Sequence, residues 1–267
     1  MTTVHTLASG SAGNSLLFSC GQTHILVDAG ISCRRITAAL KALGLAVQDL
    51  SAVLVTHGHK DHVSGLLSLS LGGRFPIMAP APVCWDLAYN ADIEKEQLKE
   101  VALMRSFSVG ECTITAFPTC HDAPGSCGYR LDSPDGSLGI LTDTGYVTEA
   151  AQEVLPGVDT VVLEANHDVE SVRSGPYPPF LKARILGSDG HLSNADAAAF
   201  AVELARHGAS EVILAHLSQQ NNPPAMAQNT VERALSAAGL SPALFVAPRS
   251  ELSQAHIIAH QEALCRE

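Results

Sequence analysis

The chain has 267 residues, of which 46% are apolar and 16% are charged, and its formal net charge is −11. This apolar share can form a sizeable core without disulfide bonds, and we expect one domain over residues 1–267. The negative charge excludes a broad basic surface that coats nucleic acid nonspecifically. Seven cysteines, an odd count without a Cys-x-x-Cys pair, argue against a disulfide framework and favour the reducing cytoplasm.

Five short apolar runs along the chain each lead into a polar residue that could do chemistry. In chain order these residues are Asp28, His57, Asp143, His167 and His216. Short apolar runs with such boundaries are typical of buried strands. Because loops at strand ends can direct side chains into one place, we expect a single shared cleft.

Helical spacing lies between these runs, over residues 34–43, 151–155, 195–207 and 230–238. Alternating strands and helices predict an α/β fold in which helices cover sheets. Amphipathic spacing from Gln254 onward predicts a final helix.

Two other patterns bear on the surface and the location of the chain. The acidic residues between positions 86 and 100 are interpreted as an exposed helical face. The first residues show no basic segment followed by a long apolar run, so we expect no signal peptide. No stretch reaches the roughly 18 apolar residues of a membrane span, so we expect no membrane partner.

The strongest chemical signal is the segment His57-x-His59-x-Asp61-His62. Three imidazoles and one carboxylate fall within six positions, and these are the ligand types of zinc and neighbouring divalent metals. In a tight turn, His57 and His59 can point to one side, whereas Asp61 and His62 open the next helix and point elsewhere. One loop could therefore serve two metal ions. Four unrelated polar residues in a surface loop are the alternative, which this spacing disfavours.

Three more ligand-type residues, His121, Asp143 and His216, follow strand-like segments further along the chain. Taken singly, each could equally be a core residue with satisfied hydrogen bonds or a cap. With the four donors of the His57–His62 segment they make seven, which supplies two metals with three protein ligands each and leaves one bridging group.

With these motifs in this order, the sequence resembles the metallo-β-lactamase-fold superfamily of hydrolases. The resemblance implies a four-layered αβ/βα sandwich with two divalent metal ions at one edge. The implied roles are first-metal ligands His57, His59 and His121, second-metal ligands Asp61, His62 and His216, a bridging Asp143, and an outer Asp28 that orients a ligand histidine.

Four further segments, residues 8–15, 164–168, 190–194 and 216–222, are similar to the YycJ (WalJ) type subgroup. That subgroup comprises DNA exonucleases that act from 5′ ends. The resemblance therefore implies a phosphodiesterase whose partner is a DNA end and whose nucleophile is a hydroxide bridging the two metals. Zinc, manganese and iron all suit the ligand types.

The segment at residues 8–15 is rich in glycine and serine and could approach an anion closely. Its candidate substrate-binding residues are Ser9, Ser11, Asn14 and Ser15. A plain hairpin turn is the alternative interpretation.

Asp61, His167 and His191 are the candidate catalytic residues. The two histidines exceed the metal-ligand count, so each could contact phosphate or protonate the leaving oxygen. Each could instead make only a structural hydrogen bond. Arg184 and Tyr177 could line the same mouth.

A small-molecule thioesterase or lactonase is the main alternative function, because the same nucleophile can attack a carbonyl carbon. An apolar mouth would favour such esters, whereas a cationic and polar mouth would favour DNA. A diiron redox protein is disfavoured because such relatives carry Glu where this chain has His59. Loss of catalysis is disfavoured because all seven ligand positions are filled.

Overall fold

Fourteen strands form two sheets within residues 1–260, the part of the chain that the computed structural model describes. The strands are β1 (Thr2–Ala8), β2 (Ser15–Cys20), β3 (Thr23–Val27), β4 (Ala52–Leu54), β5 (Ile77–Ala79), β6 (Leu98–Glu100), β7 (Ser106–Val109), β8 (Cys112–Pro118), β9 (Cys127–Asp132), β10 (Ser137–Leu141), β11 (Thr160–Glu164), β12 (Glu211–Ala215), β13 (Ala243–Val246) and β14 (His256–Ile258). The α-helices are α1 (Cys33–Ala42), α2 (Lys60–Val63), α3 (Leu66–Ser70), α4 (Ala81–Asn90), α5 (Glu149–Val154), α6 (Val169–Ser174), α7 (Pro179–Leu186), α8 (Asn194–Arg206) and α9 (Pro224–Ala237).

Each sheet has seven strands and combines antiparallel with parallel pairing. The N-terminal sheet has the order β14-β1-β2-β3-β4-β5-β6, and the C-terminal sheet has the order β13-β12-β11-β10-β9-β8-β7. Strands β3 to β6 run parallel, as do β10 to β13. Parallel strands in the middle of a sheet are covered on both faces, which explains why β4, β11 and β12 are largely apolar runs in the sequence, whereas β6 at the sheet edge is mostly exposed.

Three apolar clusters hold four layers together. The central cluster packs the two sheets face to face and includes Phe18 and Tyr129, both fully buried. A second cluster joins the N-terminal sheet to helices such as α1 through Ile36. A third joins the C-terminal sheet to α8 through Leu204. The order helix, sheet, sheet, helix is the predicted four-layered αβ/βα sandwich, which is confirmed. The single domain over residues 1–267 stays a prediction.

The four predicted helices correspond to α1, α5, α8 and α9, with shifted bounds. Helix α5 begins earlier than predicted because Thr148 caps it and accepts a hydrogen bond from the Ala151 amide. Helix α9 begins at Pro224, well before the predicted start. Proline is favoured in the first turn of a helix, where its missing N–H needs no partner.

The predicted helix from Gln254 onward is wrong where the structure describes it. Residues His256–Ile258 form β14, which pairs antiparallel with β1 and places Thr2 opposite Ile258. Their burial alternates between buried and exposed, which is the period of a strand on the sheet edge. Residues 261–267 of that predicted helix lie outside the described residues.

The acidic segment at 86–100 is also not one helical face. Asp86 lies on α4, but Asp92 is in a turn with a positive φ of 54° and Glu100 ends β6. A side chain can reach the solvent from a helix, from a loop or from the end of a strand. The clustering of these carboxylates in the sequence therefore does not require a single helix. Among residues 1–260, no helix has the length and apolarity needed to cross a membrane.

Candidate metal centre

The predicted ligands gather at one edge of the sandwich, where strands of both sheets end. Asp28 follows β3 in the N-terminal sheet, and Asp143 and His216 follow β10 and β12 in the C-terminal sheet. The two sheets are joined near this edge by the Tyr129 hydroxyl, which donates to the Val55 carbonyl oxygen at 2.7 Å. One shared cleft, predicted from the strand ends, is therefore what the topology produces.

Backbone strain is concentrated at the same edge. Asp28, Asp143 and His216 have φ values of 60°, 55° and 54°, and they make up three of the five non-glycine residues with positive φ within residues 1–260. The left-handed conformation costs roughly 1–3 kcal/mol per residue, although Asp and His tolerate it better than most. At Asp143 and His216 such a turn points the side chain into the cleft, whereas the Asp28 side chain contacts His62 from behind.

The first ligand group consists of His57, His59 and His121, whose nearest donor atoms all lie within 4.8 Å of one another. His121 Nε2 lies 3.2 Å from His59 Nδ1, and His121 Nδ1 lies 3.0 Å from the Gly190 carbonyl oxygen. The carbonyl can only accept, so Nδ1 carries the proton and Nε2 is free to bind a metal. His57 Nδ1 lies 3.0 Å from the Thr56 hydroxyl. His57 Nε2 is buried without a hydrogen-bond partner among residues 1–260.

The second ligand group consists of Asp61, His62 and His216, again within 4.8 Å. Two buried carboxylates hold its histidines from behind. His62 Nδ1 lies 2.7 Å from Asp28 Oδ2, and His216 Nδ1 lies 2.9 Å from Glu164 Oε1. His216 Nε2 is buried and has no hydrogen-bond partner in the described part of the chain.

Asp143 lies between the two groups and is 2% exposed. Its Oδ2 is 3.2 Å from His62 Nε2, and its Oδ1 is 3.7 Å from His121 Nε2. It also forms a compact cluster with His57 and His62. One carboxylate thus faces both groups with different oxygens, as a bridging ligand would.

Charged side chains in and behind the second group shift one another's pKa values. Burial by itself lowers the pKa of His62, but the adjacent Asp143 and Asp28 carboxylates outweigh it and raise that pKa from 6.5 to about 10. Burial raises the pKa of Glu164, but His191 and His216 bring it down from 4.5 to about 2. The carboxylates of this group are therefore ionised and a metal-free His62 is protonated at neutral pH.

The first group behaves differently. Burial and the neighbouring His62 lower the pKa of His57 well below 6.5, and burial with His121 lowers the pKa of His59. Both imidazoles are therefore neutral near pH 7, which is the form that binds a metal.

These residues fit two divalent cations. Each group offers three nitrogen or oxygen donors, and a carboxylate lies between the groups. Within residues 1–260, each group also contains one buried imidazole nitrogen without a hydrogen-bond partner. A buried polar atom left unpaired costs roughly 1–3 kcal/mol, which a bound cation would relieve.

Asp28 stands where the sequence predicts an orienting carboxylate. Besides His62, it accepts hydrogen bonds from the backbone N–H and the hydroxyl of Thr56, each at 2.9 Å. Its negative charge fixes the Nδ1–H tautomer of His62 and turns Nε2 toward the site.

Glu164 is the functional residue that the sequence interpretation missed. It is completely buried, accepts from Nδ1 of both His191 (2.8 Å) and His216 (2.9 Å), and accepts from the Thr144 amide. A signal was present, because a carboxylate that ends the apolar run before His167 needs a charged partner to be buried.

The glycine- and serine-rich segment at residues 8–15 supports the ligands more than it lines the cleft. Ser9 Oγ accepts from the His216 amide at 2.8 Å, and the Ser15 hydroxyl donates to the Asp28 carbonyl oxygen at 2.8 Å. The Asn14 side chain donates to the Asp61 carbonyl oxygen at 3.3 Å. These three side chains hold residues that carry or orient ligands.

The cleft over the two groups has a volume of about 270 Å³, and Ser11, Tyr177, Arg184 and His191 help to line it. His167 does not line it. The His167 side chain is 2% exposed, and its backbone pairs with Ser193 behind the cleft wall. Of the two predicted catalytic histidines, the structure brings only His191 to the site.

Comparison with known proteins agrees with this geometry. The family described as the β-lactamase superfamily domain matches residues 23–217, which is more than half of the chain. The chain belongs to the metallo-β-lactamase superfamily.

Its relatives in that superfamily include bacterial enzymes of nearly the same length. The chain is 36% identical over 240 residues to Exodeoxyribonuclease WalJ of Streptococcus pneumoniae serotype 2, covering 88% of each chain. It is 35% identical over 237 residues to Exodeoxyribonuclease YycJ of Bacillus anthracis, covering 87% of this chain and 89% of that one. The metallo-β-lactamase fold protein YhfI from Bacillus subtilis shares the fold, with a TM-score of 0.69 at 18% identity, over 95% of this chain and 100% of that chain.

Proposed function

We propose that this protein is a metal-dependent phosphodiesterase that removes nucleotides from DNA ends. The observation that carries the proposal is the pair of three-residue ligand groups with Asp143 between them. The names of its full-length relatives WalJ and YycJ, both exodeoxyribonucleases, support DNA as the substrate. The 5′ to 3′ direction follows only from the resemblance to that subgroup and stays a prediction.

The two groups would hold the cations, the first through three imidazoles and the second through two imidazoles and Asp61. Zinc, manganese and iron all suit these donors. When bound, two such cations stabilise negative charge on a phosphate and acidify a water molecule. Asp61 is 27% exposed at its side chain and lines the cleft, so it would hold a cation and lie beside the incoming nucleophile.

His191 is the residue of this chain best placed to move a proton. Its Nδ1 is 2.8 Å from the ionised Glu164, which fixes the proton on Nδ1 and leaves Nε2 as the exchanging atom. The His191 ring lies 5.1 Å from the His121 ring and 5.2 Å from the His216 ring, measured between centroids, and thus spans both ligand groups. A protonated Nε2 at that point would donate to the oxygen that leaves phosphorus.

The cleft mouth supports DNA over thioesters and lactones. Polar side chains and the guanidinium of Arg184 line it together with a few apolar residues. A cation at the mouth attracts a phosphate, whereas a neutral thioester gains nothing from it.

Incubation with Mn²⁺ and duplex DNA labelled at either the 5′ or the 3′ end tests the proposal. We expect the wild type to release labelled mononucleotides from one end, and the matched variant His59→Ala to release at least about a hundredfold less. A panel of thioesters and lactones is assayed in parallel. Equal release by wild type and His59→Ala, or turnover of thioesters alone, would overturn the proposal.

A further inference from the structure

One wall of the cleft is formed by α7 and the turn before it. This wall contributes little to the core, and its side chains are available for contact with a ligand. Helix α7 contains no buried residue, and Phe180 on its outer side is 75% exposed. Leu181, Arg184 and Ile185 have helical i, i+3, i+4 spacing and all line the cleft. A helix that buries nothing and faces the reacting centre is suited to contact a ligand.

Arg184 is the one Lys or Arg side chain that lines the cleft in the described part of the chain. Its Nε donates to Asp122 Oδ2 at 2.6 Å, and within residues 1–260 this is its only side-chain hydrogen bond. Asp122 therefore fixes the guanidinium while its terminal amino groups stay free. A planar, pre-oriented guanidinium binds phosphate oxygens in pairs.

Two aromatic side chains flank Arg184. Tyr177 lines the cleft and lies between Pro176 and Pro178, whose rings restrict the backbone around it. Phe180 is four residues before Arg184 and is therefore its neighbour on the helix surface. Aromatic faces beside a phosphate-binding cation are how proteins hold the bases of a single strand.

A second exposed aromatic surface, on α4, differs in its charges. Trp85 is 64% exposed and Tyr89 is 75% exposed, but Asp86 lies on the same helix and Glu100 lines the adjoining groove. Lys95 lies over the Tyr89 ring at 5.5 Å and covers that face. The Asp86 and Glu100 carboxylates at the α4 surface repel phosphates. At the α7 surface, Arg184 is paired with Asp122 through Nε, and its terminal amino groups stay open to a phosphate.

We propose that Tyr177, Phe180 and Arg184 form a nucleotide wall that binds an unpaired DNA strand end, with Arg184 on a phosphate and the two rings stacked on bases. The inference rests on the proposed nuclease function and adds the substrate class. The cleft volume of about 270 Å³ lies just below the range of ligand sites, which is roughly 300–1,000 Å³, so it takes a single nucleotide at a time. At the end of a duplex, the rings of Tyr177 and Phe180 would reach the bases of one strand only after the terminal pairs have opened.

The test compares two 12-nucleotide single strands with Mn²⁺, one intact and one with abasic sites at the three positions of each end. We expect the wild type to have a kcat/KM at least about fivefold higher on the intact strand. Phe180→Ala and Tyr177→Ala should reduce that preference, whereas Tyr89→Ala, an equally exposed aromatic on α4, should keep it. Thermal unfolding midpoints equal to wild type show that the variants fold.

Arg184→Ala should lower kcat/KM on both strands by about tenfold or more while the preference for bases stays, and Arg184→Lys should restore part of the loss. Binding without cleavage is measured by fluorescence anisotropy in the presence of a chelator, with a fluorophore in the middle of each strand. The affinities of the wild type and the variants for the two strands should follow the same order as their kcat/KM values. Cleavage without a base preference, or a preference that survives both aromatic substitutions, would overturn the nucleotide wall alone. A wild type that degrades the end-labelled duplex but neither single strand would also overturn the nucleotide wall alone, whereas a wild type inactive on the duplex as well would overturn the nuclease function.

Discussion

The two ligand groups contain similar donors but are supported in different ways. In the first group, neutral partners, the Thr56 hydroxyl and the Gly190 carbonyl oxygen, contact His57 and His121. In the second group, buried carboxylates contact both histidines at 2.7 and 2.9 Å. Without metal, His62 of the second group therefore holds a proton, whereas His57 and His59 of the first group are neutral. Metal binding to the second group must displace protons, so its affinity should depend more steeply on pH.

The carboxylate between the groups should show the largest effect. Asp143→Asn keeps a residue that tolerates φ of 55°, but removes the negative charge that both groups share. We expect nuclease activity to fall by roughly a thousandfold, because charge stabilisation by metals accounts for several kcal/mol of the barrier. Elemental analysis should find fewer than two metals per chain. Full metal content with wild-type activity would contradict the bridging role.

The protonation of the second group can be tested through the stability of the protein freed of metal by a chelator. Asp28→Asn removes one partner of the buried His62 ion pair, so we expect a loss of roughly 3 kcal/mol in the free energy of unfolding at pH 6. The pKa of His62 is raised from 6.5 to about 10, so its stabilisation is complete below pH 6.5 and is lost as pH rises through 10. Urea unfolding at pH 6, 8 and 10 should show the wild type and variant converging. A difference that grows with pH would contradict this account.

The carboxylates behind the ligand histidines, Asp28 and Glu164, should also affect the enzyme with its metals bound. Removing an outer partner of a ligand histidine typically lowers metal affinity or activity by about 10- to 100-fold. We expect Glu164→Gln to lie at the upper end of that range, since it contacts His191 as well as His216. Asp28→Asn should mainly weaken the second metal. Competition with a metal-binding dye measures both affinities, and equal weakening at both groups by Asp28→Asn would count against the asymmetry.

The smallest effect is expected at His167, which lies behind the cleft wall. His167→Asn should change kcat by less than about twofold, as is usual for residues away from the reacting atoms. His191→Asn is the matched control and should lower kcat by at least about a hundredfold. A loss for His167→Asn comparable to that control would return His167 to the list of catalytic candidates.

The fold and most of the centre could be predicted from the sequence because their signals are local. Buried parallel strands are apolar runs, and the His57 to His62 segment places four donors on one loop. The spatial grouping of those donors with His121, Asp143 and His216 agrees with the roles that the resemblance implies.

What could not be predicted depends on contacts between distant segments. Glu164 reaches its two histidines only through the packing of β11 beside β12 and the loop before α8. Ser9, Asn14 and Ser15 were expected to meet substrate, but whether such a polar side chain faces the cleft or a backbone group of another segment is decided by tertiary structure. Residues His256–Ile258 form a strand because they pair with the free edge of β1, a distant segment of the chain.

Crystals soaked in Mn²⁺ and measured at an anomalous wavelength give the most direct test of the centre. The account predicts two anomalous peaks roughly 3.5–4 Å apart, as in two-metal sites, with Asp143 contacting both. One peak should lie among His57, His59 and His121, and the other among Asp61, His62 and His216. A single peak, or a peak between Glu164 and His191, would contradict it.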